Sequence, residues 1–78
     1  MKKILKNFGK NLKKYRKECN YTQEQFVELA NMSVTHLSLL ESGRYNTTLT
    51  NVEKFANILN IDYLQLLEDC KDNEKVYN

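Results

Sequence analysis

The 78-residue sequence has no proline, two glycines, two cysteines and one histidine. Each scarcity removes a class of explanation. Cys19 and Cys70 lie 51 positions apart and cannot form a disulfide framework. Isolated cysteines of this kind read as small buried hydrophobes. With His36 as the only imidazole, no cluster of ligands has metal-binding spacing, so neither a metal nor another cofactor is expected. No nucleophile, acid and base converge in the pattern, which argues against an enzyme. Long apolar runs are also missing: after Met1-Lys2-Lys3, lysines recur at 6, 10, 13 and 14. That interruption argues against a signal peptide or a membrane span and leads to the expectation of a cytoplasmic protein.

Without proline, turns must be marked by other residues, and asparagine, which tolerates the left-handed conformation, takes that part. What remains is helical periodicity, with no period-two alternation long enough for a strand. Leu5, Phe8, Leu12, Tyr15 and Cys19 repeat at spacings of 3 and 4 and predict a first helix ending at Asn20. Thr22 with Gln25 forms a capping box that starts a second, with Phe26 and Leu29 apolar and Asn31 as its break. Ser33 caps a third, with Leu37 and Leu40 inward and Gly43 at its end. Thr48 caps a fourth that places Leu49, Val52, Phe55, Ala56 and Leu59 inside, up to Asn60. Asp62 with Gln65 caps a fifth, with Leu64 and Leu67 inward. The expectation is an all-α, compact five-helix domain over residues 1–70, followed by a polar tail, 71–78, that frays.

The net charge of +2 conceals an asymmetry: residues 1–20 carry +7, residues 21–44 carry −2 and residues 45–78 carry −3. A basic helix on a small domain suits a polyanionic partner, or is a solvated lysine face; charge alone does not choose. A third option, a membrane-surface helix over 1–19, needs an apolar stripe that Phe8 and Leu12 must give to the core. A domain of about 60 residues hides only about 60% of its unfolded surface, so oligomerisation would help it.

Function enters through spacing. Two short helices joined across Ala30-Asn31-Met32 have the helix-turn-helix arrangement over 22–43. Phe26, Met32, Leu37 and Leu40 supply the hinge core, and the second helix of such a pair can occupy the major groove. Its outward positions are Ser33, Val34, Thr35, His36, Ser38 and Leu39, a face with no charge. The run YTQEQFVELANMSVTHLSLLESGRYNTTLTNVEKFANILNIDYLQLLED, with FGKNLKKYRKE before it, resembles the XRE (Cro and phage-repressor type) helix-turn-helix family over roughly residues 5–69.

The resemblance implies a lambda-repressor-like fold and a sequence-specific regulator of double-stranded DNA. It also implies a homodimer on a pseudo-palindromic operator, as in phage repressors and the controller proteins of restriction–modification systems. An antitoxin, or a protein-interaction module that has lost DNA binding, would keep the same fold. By position, Gln23, Ser42, Arg44 and Asn46 match phosphate contacts. Arg16 and Glu41 match a partly buried ion pair, and Ser33, Val34, Thr35, His36, Ser38 and Leu39 match the base-reading positions. The dimer interface is expected on the fifth helix, about 62–70, through Ile61, Tyr63, Leu66, Leu67 and Cys70. Four residues depart from the family's usual choice: Val27 for alanine, Asn31 for glycine, Thr47 for proline and Leu39 for a polar residue. Val27 is expected to open the interhelix angle slightly.

Overall fold

The computed structural model describes residues 3–69, so Cys70 and the tail at 71–78 lie outside the described residues. Five helices follow in order: α1 Lys3–Glu18, α2 Gln23–Ala30, α3 Val34–Glu41, α4 Leu49–Leu59 and α5 Tyr63–Leu67. Among the described residues there is no strand.

The helix boundaries follow local chemistry. Thr22, Ser33 and Thr48 each accept a hydrogen bond from the backbone N–H three residues on. This satisfies amides that the first helical turn leaves free. Gln25 Oε1 and Gln65 Oε1 accept in return from Thr22 N and Asp62 N, completing two capping boxes. At the other ends Asn20, Asn31 and Asn60 take φ of 63°, 57° and 59°. Lys54 Nζ adds a 2.8 Å bond to Ala30 O, placing a cation at the negative end of α2.

The core is built around three phenylalanines. Phe55 stacks on Phe8 at 6.3 Å and meets Phe26 at 5.7 Å. Leu12, Leu37, Leu40, Val52, Leu59 and Leu66 close around them, all buried. Tyr15, Met32, Ile58, Ile61 and Leu67 pack at its edge. Gly9 sets the depth of the α1–α3 crossing: a Cβ there would collide with Leu40 O and sit 2.7 Å from Glu41 O.

Several inward expectations change. Leu29, Leu49 and Leu64 are 55%, 78% and 57% exposed, whereas Leu66 is fully buried. At about 100° per residue, the buried face of α2 (Phe26, Val27, Ala30) lies about 105° from Leu29. Leu49 is the first residue of α4, where the chain enters from solvent. In α5, Leu66 with Leu67 forms the core face, and Leu64 points about 110° away. Asn11 of α1 holds that orientation by donating to Leu66 O at 3.1 Å and Glu68 O at 2.8 Å. Cys19, expected buried, is exposed, with its thiol donating to Leu59 O at 3.6 Å.

Candidate nucleic-acid interface

α2 and α3 form a compact pair. Asn31, left-handed, turns the chain, and Met32 N bonds Val27 O at 3.1 Å. Ser33 then caps α3, accepting from His36 N at 3.0 Å. Phe26, Leu37 and Leu40 are buried beneath the pair and Met32 packs at their edge, as the spacing required. The helix ends in a Schellman turn: Gly43 N reaches Leu40 O at 3.1 Å and Arg44 N reaches Leu39 O at 2.9 Å. Gly43 stands at φ 75°, and α1 crosses close behind it at Lys6, so a side chain there would be both strained and crowded.

On the outer face of α3, Ser33, Thr35 and Ser38 are exposed, and Val34 is exposed at the margin. His36 and Leu39 are half-buried. Ser42, Arg44 and Asn46 are exposed just beyond the helix. Ser42 Oγ directs its hydrogen to Leu39 O at 3.1 Å, so donating to an outside group requires that hydroxyl to rotate.

Beneath this face runs a network joining three helices. Arg16 donates to both oxygens of Glu41, from Nε at 2.7 Å and Nη2 at 3.3 Å, and from Nη1 to Tyr21 O at 2.7 Å. The two charged side chains are only 6% and 5% exposed. Gln23, the first residue of α2, donates from Nε2 to Glu41 Oε1 at 3.1 Å. Its Oε1 lies 3.5 Å from Ser38 Oγ, a long contact. The ion pair from α1 to α3 thus also anchors the amide at the N-terminus of α2. A carboxamide has two N–H donors, and Glu41 takes one. The other stays beside the free amides and positive dipole end of the helix, where an anion is favoured.

Two features here lie beyond the sequence reading. Gln23 matched a phosphate contact, but its bond to Glu41 needs the packed α2–α3 angle. The ring of Tyr45, in the loop after α3, meets His36 edge-on at 5.0 Å, and spacing gives no hint of this. The α1 lysines 3, 6, 10, 13, 14 and 17 are all exposed.

The expected dimer residues divide. Tyr63 is 49% exposed, while Ile61 and Leu67 are half-buried at the core edge. Leu66 is corrected from surface to core, since it faces α1 rather than solvent. A groove of about 310 Å³ lies between α4 and α5, lined by Leu49, Thr50, Val52, Glu53, Tyr63 and Leu67. Among the described residues no group of three His, Cys, Asp or Glu could hold a metal, and no helix is long and apolar enough to cross a membrane.

Comparison with known proteins agrees with this geometry. The Helix-turn-helix family profile matches residues 12–66. Control protein C.MunI from Mycoplasma sp is 37% identical over 72 residues, covering 91% of this chain and 97% of its own length. The immunity repressor protein of Bacillus phage phi105 is 34% identical over 73 residues, covering 90% of this chain; the chain spans about half (51%) of that repressor. The master regulator for biofilm formation SinR, solved in complex with DNA, superposes with a TM-score of 0.73 at 29% identity. That match covers 78% of this chain and 98% of SinR's. With the prepared α2–α3 pair and a profile spanning most of its length, the chain belongs to the XRE-type helix-turn-helix family of DNA-binding transcription regulators, which are not enzymes.

Proposed function

We propose that the protein is a homodimeric repressor or autoregulatory controller that acts in the cytoplasm and reads a pseudo-palindromic operator through the major groove. The observation that carries this reading is Gln23, held by Glu41 with one amide hydrogen left over at the N-terminus of α2. On this reading Gln23, Arg44, Asn46 and a rotated Ser42 bind backbone phosphates and fix the register. α3 then presents Thr35 and Ser38 to base edges and Val34 to a thymine methyl, with Ser33, His36 and Leu39 at the margins. With no arginine, glutamine or asparagine on that face, specificity leans on DNA shape and on the spacing of two half-sites. The likeness to C.MunI across nearly all of both chains favours a controller-type role over the longer phage repressor's.

Selection of bound sequences from a random duplex pool, at stated salt, tests the whole reading. A palindromic consensus supports it, and recovery of no motif sinks it. Gln23→Ala is expected to weaken binding about three- to tenfold on every sequence, since a charge-assisted hydrogen bond is lost without a base contact. Thr35→Ala should instead change preference at one base position. If Thr35→Ala leaves the consensus intact, the register assigned to α3 is wrong.

The dimer reading rests on apolar surface that the fold leaves uncovered. Leu49 and Tyr63 are exposed and line the α4–α5 groove together with Leu67, and Leu64 is exposed next to Tyr63 on α5. Pairing this patch across a two-fold axis would bury it, and reading two half-sites requires the paired α3 helices to lie one helical turn of DNA apart, about 34–36 Å. Leu64→Glu should therefore shift the sedimenting mass from dimer to monomer while leaving the helical circular-dichroism signal of the domain intact, because Leu64 is 57% exposed and outside the buried core. A dimer that survives Leu64→Glu and Tyr63→Glu together places the interface elsewhere.

A further inference from the structure

The loop residue Tyr45 has no role in the reading above, yet it is the aromatic ring beside the exposed face of α3. It is half exposed, and it sits between Arg44 and Asn46. Its ring meets that of His36 with centroids 5.0 Å apart and planes at 87°. Edge-to-face contact of this kind is the arrangement favoured by the ring quadrupoles. His36 is held a second way, because its backbone N–H is tied to the Ser33 cap at 3.0 Å. The Ser33 cap thus fixes the backbone that carries His36, and the loop beyond α3 packs its ring.

This arrangement matters because α3 has few polar readers. Thr35 and Ser38 are short hydroxyls, and Ser38 Oγ is directed towards Gln23. His36 carries the longest polar side chain on the helix outside the buried Glu41. A neutral imidazole has one N–H donor and one acceptor nitrogen, and a purine's major-groove edge offers an N7 acceptor beside a second polar group. A ring free to rotate would forfeit affinity in being ordered on the DNA, whereas a ring already packed does not.

We propose that Tyr45 is a specificity-positioning residue: its ring holds the His36 imidazole in the orientation that reads a purine edge in the operator half-site. This rests on the DNA-reading function proposed above. It goes further by assigning base preference to a loop residue that does not itself touch the base.

The test compares wild type with Tyr45→Ala, Tyr45→Phe, His36→Ala and the double alanine variant, each used to select from the same random duplex pool. His36→Ala and Tyr45→Ala should relax preference at the same base position, by about three- to tenfold, the range expected for one such ring pair. The double variant should add little to either single one. Tyr45→Phe, which keeps the ring and loses the hydroxyl, should keep the wild-type preference. A loop that is merely tethered gives a different result: Tyr45→Ala would weaken all sequences equally with the consensus intact, which overturns the proposal. So would relaxation at a base position different from that of His36→Ala, or a His36→Ala variant with unchanged preference. If wild type selects no motif at all, the proposed function itself fails; if it selects one that only Tyr45→Ala leaves untouched, the positioning role alone fails.

Discussion

Replacing Arg16 with methionine is expected to remove about 3–5 kcal/mol of folding stability, the usual consequence of breaking one side of a buried ion pair. The methionine fills much of the same volume, so the loss is electrostatic. Arg16 gives three hydrogen bonds, two to Glu41 and one to Tyr21 O. Without it the Glu41 carboxylate, 5% exposed, keeps one side-chain bond, from Gln23. A domain of this size holds about 4–12 kcal/mol in total, at the typical 0.05–0.15 kcal/mol per residue. At the lower end of that range Arg16→Met leaves a protein close to its unfolding midpoint, and across the range it is read in urea as a lowered midpoint with little change in slope. A loss below about 1 kcal/mol would show that the pair behaves as a solvated surface bridge.

The paired change separates stability from function. Arg16→Met with Glu41→Leu removes both buried charges and should recover most of the lost stability, because the desolvation of two ions disappears with them. It should not recover DNA affinity. Glu41 is also what holds Gln23 at the start of α2, and leucine cannot accept its amide. A double variant that is stable yet weak on every duplex would show that the ion pair supports the phosphate-binding geometry as well as the fold.

Gly9→Ala is expected to lower stability by about 1–3 kcal/mol, although glycine to alanine inside a helix normally raises it by about 1 kcal/mol. The sign reverses because of where α1 crosses α3. The new methyl would collide with Leu40 O and crowd Glu41 O and the Glu41 carbonyl carbon at 2.7 and 2.9 Å. These are backbone atoms at the end of α3 and cannot swing aside as a flexible side chain would. Relief requires α1 and α3 to separate, which loosens Phe8 and Leu12 and shifts the Arg16–Glu41 pair. In a thermal melt, each kcal/mol corresponds to about 4–8 °C for a domain of this length. A melting temperature that rises instead would mean that the crossing has slack. The recognition helix moves with the crossing, so operator affinity should fall alongside stability.

The legible and illegible parts of the chain differ by range of interaction. Thr22, Ser33, Thr48 and Asp62 cap their helices through bonds spanning two or three residues, so four start sites could be written down from spacing alone. Asn20, Asn31 and Asn60 adopt positive φ because a left-handed turn is needed and glycine is absent there. The inward face of α5 is not legible in the sequence because five residues span about 1.4 turns, too few for periodicity to choose between Leu64 and Leu66. Asn11 made that choice from 55 residues away in the chain. Leu29 and Leu49 satisfy the apolar spacing near a helix end whether or not another helix arrives to cover them, and none does, leaving them 55% and 78% exposed.

The sequence by itself determined that this protein is five helices, four of them with legible N-caps, and a helix-turn-helix at 22–43, because capping and helical periodicity are local properties of neighbouring residues. Through resemblance it also marked Gln23, Arg16 and Glu41. Only the tertiary structure decided that these three belong to one network, that Gly9 sets the α1–α3 distance, and that Tyr45 stands against His36. Each of those depends on an angle between helices, and that angle is fixed by how the whole core packs around Phe8, Phe26 and Phe55. Packing sums contacts between residues far apart in sequence, so no local window contains it.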